Sequence, residues 1–501
     1  MDVVDRRTFL RRSVIAAAAV GAALDPFRLT GSAAASLPDF GELGPVPDLR
    51  DGVVRLWLPT GFEYRSFHDT ESGPQLIDGG ATVLPGRHDG MAAFRAPEGK
   101  VWLVRNHEIN NPGAAIGVGT PYDPMAQGIT TTVLVTRFGE VLDAFTSLNG
   151  TQMNCAGGAT PWDTWIMCEE TVNGPDVGAD FTGVPNVPLT QRHGFIFEVP
   201  AGGQSNRRPI TSAGRFAHEA AVWNPKENAL YLTEDNFGFP SGLYRYFPPT
   251  DPMDTGSLAE GGPLQMLRVV GQPDAHLEGE QANGATYDVD WVDIADPNPT
   301  FPYTPGQPAP TSNDEAITYV GDQGRAHGAA GFSRLEGAIL SKGLVYFDAT
   351  QGGGAAEPGP QPITGYGNGS GQIWAYDPKE QTLTCILQSP GAAVLDLPDN
   401  ITQSQRGTIV ICEDGPVDNY VRGLTRDGEV FDIALNRLHS SVTGAPRFSD
   451  EFAGATFSPD GHTLFVNIQA SQGMTFAIWG PWGASECKDG RSPGLGRATG
   501  G

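Results

Sequence analysis

One local pattern recurs along this chain and limits what it can fold into. Short runs of aliphatic, β-branched and aromatic residues stop abruptly at carboxylates or an asparagine. Val101-Trp102-Leu103-Val104 leads to Asn106, His107 and Glu108, and Thr164-Trp165-Ile166-Met167-Cys168 leads to Glu169-Glu170. Ala229 to Thr233 leads to Glu234-Asp235, Thr408 to Cys412 leads to Glu413-Asp414, and Thr463 to Val466 leads to Asn467. Apolar runs this short, bounded by turn residues, are predicted to be buried strands. Trp102, Ile166 and Leu230 stand 64 residues apart in turn, and the interval is longer and less regular afterwards. A second run follows several of the first: residues 194–200, 242–248, 371–378 and 428–433 alternate large and polar side chains, often stopping at proline. Repeated multi-strand units of this size predict an all-β fold, a β-propeller of about six blades with loop insertions. The 66 glycines and 41 prolines suit many short strands and turns. Residues 36–501 are expected to form one such domain. The Pro/Gly-rich stretches near 251–320 and 351–370 are expected to be insertions rather than blades.

A propeller brings the matching ends of its strands to one face around an axis. Acids repeated at those ends would therefore meet there, and gathered carboxylates repel unless cations neutralise them. A metal cluster at the mouth of the axial channel is the economical reading, although any single carboxylate at a strand end is more often a solvated turn residue. The net charge of −26 argues against nucleic acid as a partner. It is also compatible with collecting hard cations, which take oxygen ligands. Five cysteines in 501 residues do not make a disulfide framework. Cys168, Cys385 and Cys412 lie within apolar runs and read as core residues. No glycine-rich nucleotide loop, zinc-binding His-x-x-x-His helix or Gly-x-Ser-x-Gly elbow is present.

The first 35 residues read as an address. Asp5-Arg6-Arg7-Thr8-Phe9-Leu10-Arg11 carries the twin-arginine pattern, an alanine-rich apolar run spans Val14 to Leu24, and Ala33-Ala34-Ala35 offers a cleavage site. This is the layout of a Tat export signal, with an apolar run too short to span a bilayer. The expected partner is the Tat machinery, which exports folded proteins. The mature chain is expected in the periplasm or outside the cell, as a monomer with no stable membrane insertion.

The segment Asn154-Cys155-Ala156-Gly157-Gly158-Ala159-Thr160-Pro161-Trp162-Asp163-Thr164-Trp165, followed by Cys168-Glu169-Glu170, resembles the signature of the PhoX alkaline phosphatases. Gly214 to Glu219, Arg334-Leu335-Glu336-Gly337, Pro398-Asp399-Asn400-Ile401 and Phe476 to Trp482 resemble it as well. The likeness runs from about residue 55 to residue 483, with Leu335 standing where the better-known members carry proline. It implies an exported phosphatase that hydrolyses small phosphate monoesters, and sometimes diesters, at a cluster of Ca2+ and Fe3+. Carried over by motif, Cys155 and Glu170 would ligate iron, and Glu219 would be a further metal ligand. Arg334 would hold the substrate phosphate and Glu336 would act beside it as a metal ligand; Asp414 and Glu108 are further candidates. Position alone leaves Cys155 open as a buried core thiol, and Arg334–Glu336 open as an ordinary surface pair. His107 and His218 precede candidate acids but are not assigned as ligands. A calcium-dependent lactonase or esterase, and a non-enzymatic metal-stabilised propeller, are the alternative classes. Neither would need Cys155 together with Arg334 and Glu336.

Overall fold

In the computed structural model, residues 40–249, 255–259, 261–355, 365–425 and 428–482 are described. The export signal expected in residues 1–35 lies outside them. The described strands form six antiparallel blades around one axis. Taking the innermost strand of each, the blades begin at His88–Arg95, Asn154–Ala159, His218–Asn224, Leu335–Ser341, Pro398–Gln403 and Glu451–Phe457. Each innermost strand touches the next in this order, and the sixth touches the first, so the ring is closed. The acid-ending runs of the sequence are the second strands: Val101–His107, Thr164–Glu169, Ala229–Glu234, Ile409–Glu413 and Thr463–Gln469, with Leu344–Ala349 in blade four. The strand at 428–433 differs in place from its look-alikes. It lies in Val430–Asn436, the fourth strand of blade five, whereas the other three are third strands.

Closure uses the start of the chain. Glu63–Phe67 pairs with Met474–Trp479 and completes blade six. Val54–Pro59 pairs with the outer strand of blade five, and Leu43–Pro47 pairs with Val54–Pro59. The stretch near 251–320 holds two strands, Leu264–Val269 and Thr286–Asp293, which extend blade three and join it to the edge of blade four. It also holds the start of the helix Asn313–Ala326, which opens on a capping box between Ser312 and Glu315. No described helix is long and apolar enough to cross a membrane.

Side-chain size follows radius. Six strands crowd the axis, so the innermost ones are small-residue sequences, such as Ala156-Gly157-Gly158-Ala159 and Ala453-Gly454-Ala455. A Cβ on Gly158 would stand 1.6 Å from the Ala221 carbonyl oxygen in the neighbouring blade. Outward, strand alternation sends successive large residues to opposite neighbours. Trp165 and Met167 pack against Phe94 and Val104 of blade one. Ile166 and Cys168 pack against Leu230 and Leu232 of blade three. Comparable apolar layers fill the other four interfaces. Cys168, Cys385 and Cys412 are buried in these layers.

Phe476 belongs to the layer between blades five and six and meets the Tyr64 ring of the closure strand edge-on at 5.8 Å. Phe476→Ala is expected to cost about 3–5 kcal/mol. The check is a fall in the midpoint of chemical denaturation followed by circular dichroism.

Candidate metal centre

All six innermost strands carry the same irregularity. In each, one extra residue is inserted relative to the second strand, a β-bulge that follows the first paired position in blades one to five and the third in blade six. A bulge re-aims the side chain it displaces. In the first five blades the residue that opens the bulge is Asp89, Cys155, Glu219, Glu336 and Asp399. In the sixth it is Gly454 (φ 61°), whose missing Cβ would collide with the Asp89 carbonyl oxygen at 2.3 Å. Blade six instead contributes Glu451, the first residue of its inner strand. Residues just beyond the second strands add Glu108, Glu170, Asp235 and Asp414. These side chains line one cavity at the mouth of the axial channel.

All seven residues named as candidate metal or phosphate ligands reach this cavity: Cys155, Glu170, Glu219, Arg334, Glu336, Glu108 and Asp414. Donor atoms of Cys155, Glu170 and Glu219 lie within 4.8 Å of one another, as do those of Glu219, Glu336 and Asp399, and those of Asp399, Asp414 and Glu451. Glu219 and Asp399 are each shared between two groups. Sequence reading did not assign Asp89, Asp399, Glu451 and Arg87 to the site, and held Asp235 only as one of the acids that end a strand. Asp399 had a legible signal, since Pro398-Asp399-Asn400 repeats the place of Leu335-Glu336-Gly337 and His88-Asp89-Gly90. Glu451 had none, because it stands before its strand's bulge rather than in it.

The electrostatics are those of acids crowded out of water. Burial first, and neighbouring carboxylates second, push Glu170, Glu219, Glu336, Asp89 and Glu451 well above the usual carboxylate range. Asp399 is pushed up to about 8 by burial and by Asp414. Burial also drives the Cys155 thiol up, and its Sγ lies 3.1 Å from the His218 carbonyl oxygen. One Glu219 carboxylate oxygen is buried with no hydrogen-bond partner. An orphaned carboxylate oxygen within two overlapping donor groups fits a cation, and the groups could hold metal ions.

Two guanidinium groups stand among the acids. Arg334 donates from Nε and Nη2 to Asp235 (3.1 and 2.7 Å) and from Nη2 to Glu336 Oε1 at 3.0 Å. Burial works against its charge, but Asp235 and Glu336 hold its pKa well above the ordinary value. Arg334 is not extended, as a shared strand face with Glu336 would require. Its φ of 38° is left-handed, and the pair meets across this turn into the strand. Arg87, Met153 and Leu397 enter their blades through the same left-handed step, with φ of 49°, 46° and 47°. Arg87 thus occupies in blade one the place of Arg334 in blade four, and it donates to Glu108 Oε2 at 3.1 Å.

A supporting layer holds the bulges. Asn106 donates to the Cys155 and Ala156 carbonyls at 2.8 and 2.9 Å, while accepting from Thr130 and Trp165. Thr233 donates to the Glu336 carbonyl at 2.6 Å, and Asn467 to that of Asp89 at 2.6 Å. Paired acids divide their work by strand alternation. Glu170 faces the cavity, whereas buried Glu169 accepts from the Gln152, Gly194 and Phe195 amides. His107 and His218 serve the backbone, donating to the Gly86 and Gly214 carbonyls.

The fold and site define a six-bladed β-propeller with an acid-walled centre, suited to cations, on its axis. The chain belongs to the alkaline phosphatase PhoX family, whose model matches residues 39–472. Among solved structures, Pseudomonas fluorescens PhoX in complex with vanadate, a transition state analogue, is similar at a TM-score of 0.59 and 17% identity. That alignment covers 87% of this chain and 97% of that one. A gluconolactonase from Xanthomonas campestris aligns at 0.39 and 12% identity, over 87% and 98% of the two chains. No curated protein matches the chain. Membership in this family makes the protein a phosphoric ester hydrolase.

His193 is buried between Glu169, 2.6 Å from Nδ1, and Asp123, 3.5 Å from Nε2. Burial opposes its charge, yet the two carboxylates prevail and raise its pKa from 6.5 to about 9. A raised histidine pKa contributes stability that is complete below the unfolded value and lost as pH climbs through the folded one. Between about pH 6.5 and about pH 9, the denaturation midpoint is expected to fall more steeply for the native chain than for His193→Gln. Parallel pH profiles would refute the charged bridge.

Proposed function

We propose that this protein hydrolyses phosphate monoesters at a cluster of iron and calcium ions after export by the Tat route. The observation that carries the reading is Arg334, a guanidinium fixed in the wall of the acid cluster by Asp235 and sharing Glu336 with it. Its Nε and Nη2 groups face those carboxylates, which leaves Nη1 to donate to a phosphoryl oxygen. The family match supports the reaction class, and the twin-arginine motif supports export.

The donor chemistry supports the ion types. Cys155 with Glu170 and Glu219 is a mixed sulfur–oxygen set that suits iron. The all-oxygen sets, Glu219–Glu336–Asp399 and Asp399–Asp414–Glu451, suit calcium. When bound, the ions supply Lewis-acid polarisation of the phosphoryl group and lower the pKa of water. Arg334 binds and orients the phosphoryl group, Asp235 keeps the guanidinium plane fixed, and the cavity's burial limits competing water.

Arg334→Ala is expected to lower kcat/KM for p-nitrophenyl phosphate by roughly 10²–10³-fold, with metal content by elemental analysis unchanged. Cys155→Ala is expected to lose iron and the associated visible absorbance while keeping calcium. Full activity in both variants would overturn the assignment. Adding calcium to chelator-treated protein is expected to raise its thermal midpoint, because ions bound only by the folded chain stabilise it.

A further inference from the structure

Resting on the phosphatase reading, the geometry points to a substrate whose leaving group carries a planar ring, an aromatic ring or a nucleobase, stacked on Phe181 at the cavity mouth. Phe181 is 71% exposed, yet it lines the same cavity as the acid cluster. Its ring stacks on Phe237 with centroids 5.9 Å apart and planes 24° apart. Phe237 in turn lies against the Arg334 guanidinium, 5.0 Å from ring centroid to guanidinium carbon. Arg334, Phe237 and Phe181 thus form a continuous series from the phosphate-binding group to solvent. An ester held by its phosphate at Arg334 projects its leaving group along that series. Ile317, on the helix Asn313–Ala326, adds a third apolar side chain at the mouth.

Phe181 is not the tip of an untethered loop. The preceding residue, Asp180, accepts from Asn110 Nδ2 at 2.8 Å and from Asn173 Nδ2 at 3.2 Å. Gly178 donates to the Thr311 carbonyl at 2.8 Å, tying the loop to the segment that leads into the helix. A large apolar ring held in water by a fastened backbone loses hydrophobic stabilisation unless something covers it. Its free face suits another π-system better than a polyol, because stacking is sequence-tolerant and needs only a flat partner.

The test uses the full metal-loaded protein and compares kcat/KM for adenosine 5′-monophosphate, phenyl phosphate and glycerol 3-phosphate in the native chain, Phe181→Ala and Phe181→Trp. Alanine is expected to lower the preference for planar substrates over glycerol 3-phosphate by roughly 10- to 100-fold, mainly through KM. Tryptophan is expected to keep that preference. Loss confined to adenosine monophosphate would assign the nucleobase, and loss for both planar esters would assign any aromatic ring; either supports the inference. An unchanged preference in Phe181→Ala overturns it while leaving the phosphatase reading standing. A native chain that hydrolyses none of the three esters overturns both.

Discussion

Six strands converge on one axis, and the space there allows little beyond backbone. That crowding governs the rest of the molecule. It selects small residues for the innermost strands, as at Gly158, where a methyl group would overlap the Ala221 carbonyl oxygen. It also makes a β-bulge the means of putting a functional side chain on the axis, since a regular strand would alternate its side chains into the blade interfaces. Five bulges present a ligand-type residue. The sixth, at Gly454, yields its space to the Asp89 backbone next door.

Concentrating acids in this way sets a second constraint. Glu170, Glu219, Glu336, Asp89 and Glu451 are all displaced far from the ordinary carboxylate range by burial and by one another. Among the described residues lining the cavity, Arg87 and Arg334 are the cationic side chains. Arg334 is already committed to Asp235 and Glu336. Two guanidinium groups cannot balance so many carboxylates, so the cluster stands in deficit of positive charge until cations enter. The same deficit that makes the centre costly to fold makes it receptive to metal cations.

The scaffold meets that cost one layer away. Asn106, Thr233 and Asn467 each hold the carbonyl of a bulge residue in the next blade, so every such contact ties the site to an interface between blades. Glu169 collects three backbone amides and His193, leaving its neighbour Glu170 free to face the cavity. Adjacent acids that look equivalent in sequence therefore do different jobs, one organising backbone and one facing the axis.

Much of this was legible in the chain. Apolar runs ending in acids, together with their spacing, specified strands, blades and a convergence of carboxylates, because period-two patterning and turn chemistry are local properties. Cys155, Glu170, Glu219, Arg334 and Glu336 were legible through motif resemblance. Glu451, Arg87 and the division between Glu169 and Glu170 were not, since they depend on bulge register and on which residues enter a strand through a left-handed step. The stacking of Phe181 on Phe237 joins loops 56 residues apart, which no local pattern encodes. Sequence alone determined which residues were chemically able to serve the site. Tertiary structure decided which of them meet, because only closure of the ring brings strand ends from six blades to one axis.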